Sequence, residues 1–401
     1  MNSRISLKSG LDIKKQNLLR PLAFICLILL SLAGCRDAKP PETTSSEGLG
    51  REEIARARYR EIQKEFTRSE EEIRKGIRLG NLEPKAIYEL DREFRVNLEE
   101  FAEEFNGTQS AAGVQLNFVL IDIEKTEFGS AEARLNEIIA ALNEGGNLAL
   151  ALIQKSIFES DHNPDKALRI IRKAEKVGGI SEPTLIEVKI QKLNILEMLH
   201  RDSEFDALYI ELMDSDVGPY LGAITLARLH NLIRLNRTDS VEELIDSVEG
   251  VLDRGILLLL KGEYTSSKLV GKQAPPVKGK DIAGVDFDLR EHRGQVVVII
   301  FFTTRSTLML RQVEKLNEFY SEFSPHGIRL VGVCLDTEPD GLPGFASEHE
   351  ILWPLIHDSD VSIQQSYFVV GEPKYFIINE KGIILEQGSD IARLESRFAG
   401  I

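Results

Sequence analysis

The chain has 401 residues, 42% of them hydrophobic and 28% charged. This length and near-average composition predict at least two water-soluble domains and exclude a disordered, collagen-like or multi-pass membrane chain. Forty-nine Lys and Arg against 64 Asp and Glu leave a net charge of -15, which repels phosphate backbones and disfavours nucleic acid as a partner. Only three cysteines occur, too few for a disulfide scaffold or a multi-cysteine zinc site.

Arg4, Lys8, Lys14, Lys15 and Arg20 precede an uncharged run from Leu22 to Ala33. At about twelve residues the run is shorter than the roughly twenty a spanning helix needs, so residues 1–34 read as a signal peptide that is removed. The run ends in Leu32-Ala33-Gly34-Cys35. This resembles the bacterial lipobox, in which the peptide is cut before the cysteine and the new N-terminal cysteine receives lipid. An ordinary secretory peptide with an incidental cysteine is the alternative, and the small pair directly before Cys35 favours lipidation. The expectation is a mature protein held to a membrane by lipid on Cys35, in the cell envelope, facing the periplasm or exterior. Loss of residues 1–34 removes five bases and one acid from the 49 and 64, leaving 44 against 63 and a net charge of -19. Residues 36–50 lack periodic apolar positions and are rich in Pro, Ser, Thr and Gly, so 35–50 reads as the lipidated cysteine and a flexible tether.

From Arg51 to about Phe105 sparse apolar residues, Ile54, Tyr59, Ile62, Phe66, Ile73 and Ile77, recur every three to five positions among Glu and Arg. Helix is the natural reading, and the lack of a clean ladder of opposite charges favours a solvated helical face over a coiled coil. Between Ala131 and Leu260 three polar turns, 161–168, 201–208 and 236–241, each carry an acidic residue ahead of an amphipathic helix, such as Ala167 to Val177 or Ala207 to Met213. Their spacing resembles a degenerate tetratricopeptide-type array of helical hairpins. The apolar positions Leu185, Val188, Leu193 and Leu196 are weighted toward inter-helix packing over a ligand groove. Residues 51–265 are thus expected to form an all-helical domain presenting a surface to an envelope protein partner.

Beyond Lys261 the pattern changes. Val296 to Phe302 is apolar throughout, Ile328 to Leu335 nearly so, and Tyr375 to Ile378 with Ile383 to Leu385 flank a turn at Asn379-Glu380-Lys381-Gly382. This predicts an α/β domain over 268–401 with buried central strands and a closing hairpin. Four ordered segments carry a family resemblance: Leu269 to Pro275; Phe287-Asp288-Leu289 with Arg293 to Val298; Trp353-Pro354 with Asp358; and Tyr367 to Pro373 before Tyr375 to Ile378. They resemble the thioredoxin-like redoxins, specifically the exported TlpA-like thiol:disulfide oxidoreductases. The resemblance implies a central mixed sheet flanked by helices, and a cis-proline at Pro373.

In that family a Trp-Cys-x-x-Cys motif opens the helix after the first central strand. Here the strand runs into Thr303-Thr304-Arg305-Ser306-Thr307-Leu308-Met309. By the resemblance Arg305 falls on the tryptophan, Ser306 on the nucleophilic cysteine and Met309 on the resolving one. Dithiol exchange needs a thiolate of depressed pKa at a helix N-terminus and a second thiol to resolve the mixed disulfide. A serine hydroxyl and a thioether supply neither, and a peroxidatic cysteine would fall on the same lost position. Arg305, Ser306, Glu372 and Pro373 then remain as a binding groove without its chemistry, against the alternative that Pro373 only preserves the fold.

Two further readings stand beside this one: a redoxin enzyme retaining some activity through a non-standard site, and Ser306 donating to a bound thiolate such as glutathione. Cys334 is the remaining mature thiol, in an apolar run that predicts a buried and inert position. His292, His326, His349 and His357 share no metal-ligand spacing and read as surface or loop residues. Neither a metal nor any other cofactor is expected.

Overall fold

The computed structural model describes residues 46–389 apart from 80, 84, 126 and 161, together with 394 and 398. The expected signal peptide, Cys35 and most of the expected tether lie outside these residues. Helix α1 spans Ser46–Arg78, so it starts inside the stretch read as tether. Once a helix is nucleated, each added residue costs little, and the Glu- and Arg-rich run carries the helix back over the two glycines.

Helix α1 packs antiparallel on α2 (Lys85–Glu104). Phe66 stacks on Phe94 at 4.1 Å, and Tyr59 meets Phe101 at 5.7 Å between ring centres. The solvated-face expectation is corrected here. Ala55, Tyr59, Ile62 and Phe66 keep a three-four spacing that forms one continuous apolar seam, with Ala55 and Ile62 buried. The dense charges on the other faces conceal this seam in the sequence.

Among the described residues nine further α-helices follow: α3 (Gln109–Glu124), α4 (Phe128–Ala141), α5 (Gly146–Ser160), α6 (Pro164–Ala174), α7 (Glu182–Met198), α8 (Asp202–Met213), α9 (Leu221–Arg234), α10 (Thr238–Val248) and α11 (Arg254–Ser267). Consecutive helices pack as hairpins, and α3, α5, α7, α9 and α11 also pack on one another in turn, making one row of helices along one side. Helices α6 and α8 begin earlier than the amphipathic pattern indicated. For α6 the reason is local: the Asn163 side chain accepts from Lys166 N at 2.9 Å, and Pro164 occupies the first turn, where its missing N–H costs nothing. Val188, Leu193 and Leu196 are fully buried and Leu185 is half-buried, as inter-helix packing requires.

The α/β part opens with a small antiparallel pair, β1 (Lys278–Lys280) and β2 (Asp286–Asp288). The main elements are β3 (Val296–Phe302), α12 (Thr307–Phe323), β4 (Ile328–Cys334), α13 (Leu342–Glu348), β5 (Leu355–His357), α14 (Ser362–Ser366), β6 (Lys374–Ile378) and β7 (Ile384–Gly388). Five strands form one mixed sheet in the order β5-β4-β3-β6-β7, with β3, β4 and β5 parallel and β6 and β7 antiparallel to their neighbours. This is the thioredoxin-like arrangement that the resemblance implied.

Alternation along β3 divides its side chains between two cores. Val298, Ile300 and Phe302 join Met309, Val313, Leu316 and Phe319 of α12, while Val297, Ile299 and Phe301 join Tyr367 and Phe376. A strand buried on both faces reads as an unbroken apolar run, which is why β3 and β4 are visible in the sequence. At Gly332 on β4 a side chain has no room, since a Cβ would lie 2.5 Å from the Trp353 ring and 2.6 Å from Leu355.

Candidate functional site

The carboxyl end of β3 delivers the chain into the turn 303–306 and then α12. Ser306 is the N-cap of α12; its Oγ accepts from Met309 N at 3.4 Å, and only 5% of its surface is exposed. The hydroxyl is thereby committed to satisfying a helix-end N–H. Met309, three residues on, is fully buried in the α12 core. Arg305 is exposed.

Opposite this turn the Glu372-Pro373 peptide is cis. Thr303 Oγ1 donates to Glu372 Oε1 at 3.1 Å and joins the two segments. Next to them, Thr304 donates from its N at 3.2 Å and its Oγ1 at 2.5 Å to Asp336 Oδ2, and His357 Nε2 donates to the Asp336 carbonyl at 2.7 Å. Burial pushes the Glu372 carboxyl up to about 7; the Thr303 hydrogen bond opposes this and the Asp336 charge adds to it. Cys334, at the end of β4, has no exposed surface, and burial pushes its thiol up to about 12. Such a thiol stays protonated at neutral pH and is a weak nucleophile.

Arg305, Ser306, Glu372 and Pro373 thus sit around one end of the sheet, but Ser306 and Pro373 are buried. The loop leading to Pro373 is also contacted by the helical part. Gly262 of α11 lies so close to Val370 that a Cβ would come within 2.2 Å of its side chain and 3.7 Å of the Phe368 carbonyl, and Leu259 reaches Gly371. Directly after the proline, Lys374 is 1% exposed, and its Nζ donates to Glu263 Oε2 at 2.6 Å. His230 Nε2 on α9 lies 3.7 Å from the same oxygen. Burial works to raise the Glu263 carboxyl, but the Lys374 charge and the His230 hydrogen bond outweigh it and hold it well below the ordinary carboxylate range.

Helix α12 is gripped by the helical part as well. Arg311 Nη2 donates to the Ile157 carbonyl at 3.3 Å, and its guanidinium lies 4.7 Å from the centre of the Phe158 ring. Between these contacts lies a cavity of about 970 Å³, walled by α7, α9, α11, α12 and β7 and including Glu187, Arg234, Gln312 and Gln387. Its lining contains Glu187, whose carboxyl burial raises to about 7 although the Tyr220 hydroxyl donates to it at 3.2 Å.

Sequence reasoning missed Thr303, Thr304, Asp336, Glu263 and Lys374. The one available signal was Lys374 itself, a charge at the head of the apolar run Tyr375 to Ile378, which calls for a buried partner. His357 is half-buried in β5 and hydrogen-bonded, a correction to its reading as a loop residue. Among the described residues no group of three or more His, Cys, Asp or Glu is placed to hold a metal, and no helix is long and apolar enough to cross a membrane.

Residues 270–387 match the AhpC/TSA family, so the chain carries a redoxin-type domain at its C-terminal end. Among curated proteins, thiol-disulfide oxidoreductase ResA of Bacillus thuringiensis subsp. konkukian is 22% identical over 131 residues, covering 32% of this chain and 76% of that protein. ResA of Geobacillus thermodenitrificans is 25% identical over 113 residues, covering 28% of this chain and 65% of that protein. Among solved structures, the thioredoxin domain of a thiol-disulfide oxidoreductase from Bacteroides vulgatus matches at 22% identity and a TM-score of 0.30, covering 32% of this chain and 96% of that chain. StoA from Bacillus subtilis matches at 22% identity and a TM-score of 0.27, covering 29% and 88%. Each of these matches spans about a third of the chain or less.

Proposed function

We propose that this redoxin-type domain has lost the dithiol chemistry of its relatives and serves as a binding or scaffold module, on a lipoprotein anchored in the cell envelope through Cys35. One observation carries the reading. The helix that follows the first central strand begins at a capping serine, Ser306, with a buried thioether at Met309, and the one described thiol, Cys334, is fully buried with its pKa pushed up to about 12. No reactive sulfur stands at the helix N-terminus, where thiol exchange would need it. Arg305, Glu372 and Pro373 around Ser306 form the binding edge in this account, and an envelope protein is the partner class.

Two measurements test it. With dithiothreitol as reductant, the native chain is expected to leave insulin reduction at the uncatalysed rate; a faster rate that Cys334→Ala abolishes overturns the reading in favour of a redoxin enzyme with a non-standard site. For the anchor, a Cys35→Ser chain is expected to leave the membrane fraction and to lose acyl labelling, and one that still fractionates with membranes contradicts the lipid attachment.

A further inference from the structure

The helical part and the redoxin-type domain do not simply adjoin: helices α5 and α11 of the row touch the two segments that frame the candidate groove. Helix α5 holds α12 through Arg311, and α11 lies on residues 368–371 and pairs with Lys374.

We propose that α11 is a releasable clamp on this groove, closed by the Glu263–Lys374 pair and by the fit of Gly262 against Val370, and opened when the redoxin-type domain swings away from the helical row. This rests on the reading of 305–306 and 372–373 as the binding edge. Three observations make the closed state one that can be left. First, the seam is incompletely packed, because the cavity of about 970 Å³ runs along it beside the ion pair. Second, three buried polar side-chain atoms on the facing elements lack a hydrogen-bond partner among the described residues: Gln312 Oε1 on α12 and Gln387 Oε1 on β7, both from cavity-lining residues, and Ser266 Oγ on α11. Each orphaned group pays its desolvation without a compensating hydrogen bond, a cost relieved when opening admits water. Third, Phe368, whose carbonyl faces Gly262, has φ +55° and is 44% exposed. A left-handed conformation is unfavourable for a bulky residue and is maintained only by its surroundings. Against these stand the buried ion pair and the Arg311 contacts, which keep the resting state closed.

The test uses a thiol reporter in the full chain, Ser306→Cys with Met309→Cys, and a wedge, Gly262→Leu, whose side chain cannot fit beside Val370. With dithiothreitol as reductant, the wedge is expected to raise insulin turnover by the reporter about tenfold, because apparent affinity scales with the open fraction. Reaction with 5,5′-dithiobis(2-nitrobenzoate), small enough to enter a covered groove, should stay nearly constant once the parent chain's own thiols are subtracted. Equal insulin turnover with and without the wedge, in reporters whose new thiols react with the small reagent, overturns the clamp. Where the reporter thiols react with neither substrate, hydrogen exchange decides. In the otherwise native chain Gly262→Leu should speed exchange at residues 368–372 while β3 and β4 keep their protection, and unchanged exchange at 368–372 overturns the clamp. Insulin turnover by the native chain would contradict the proposed loss of chemistry without touching either outcome.

Discussion

Lys374 Nζ sits 2.6 Å from Glu263 Oε2, and the two side chains, from residues 111 positions apart in sequence, are both buried. One belongs to the strand that follows the cis-proline, the other to the last helix of the helical row. The pair ties the two parts of the chain together at the edge of the candidate site.

Removing one member of a buried pair leaves an uncompensated charge. Lys374→Met and Glu263→Gln should each lower stability by about 3–5 kcal/mol, while Lys374→Met with Glu263→Leu should cost much less than the two added together. Urea unfolding of the single and double variants measures this; additive losses would mean that the two groups do not depend on each other.

Glu187 and Glu372 are both raised from 4.5 to about 7, burial being the larger cause in each. Folded, they hold protons more tightly than unfolded. Their stabilising contribution is complete below about pH 4.5 and is lost as the pH climbs through about 7, on the order of 3 kcal/mol at most for each. Glu187→Gln should therefore flatten the fall in stability across that window, as read by denaturant midpoints at several pH values. A native chain that grows more stable from about pH 5 to 7, with Glu187→Gln unchanged in slope, would contradict this assignment.

Gly332 is enclosed by Trp353, Leu355 and Phe302. Gly332→Ala should cost about 1–3 kcal/mol by overpacking, seen as a lower melting temperature, whereas Gly284→Ala meets only open space and pays instead for its left-handed backbone at φ +81°. A neutral Gly332→Ala would show that the strand can shift to make room.

Much of the α/β domain was legible because its central strands are buried on both faces, so Val296 to Phe302 reads as an apolar run whose ends coincide with β3, and Ile328 to Leu335 as one that runs a single residue past β4. The turn at 303–306 was legible for a different reason: the family resemblance puts a helix start there, and Ser306 caps that helix. The α1–α2 seam was not, since surface charges outnumber the apolar positions that define it. The covering of the cis-proline loop was also hidden. It arises from contacts between α11 and a loop more than a hundred residues downstream, and a single lysine ahead of an apolar strand was its only trace.

In the proposed reading, the scaffold of a thiol:disulfide site persists at 303–309 and 372–373 without its sulfur. Insulin reduction by dithiothreitol, measured side by side for the native chain and for Ser306→Cys with Met309→Cys, tests it most directly, because a helix N-terminus lowers the pKa of a thiol placed on it. The native chain is expected to match the uncatalysed rate and the double variant to exceed it measurably, with a further gain when the Gly262→Leu wedge opens the groove. Catalysis by the native chain, or a double variant whose thiols react with the small disulfide reagent yet never reduce insulin even with the wedge in place, would contradict the account.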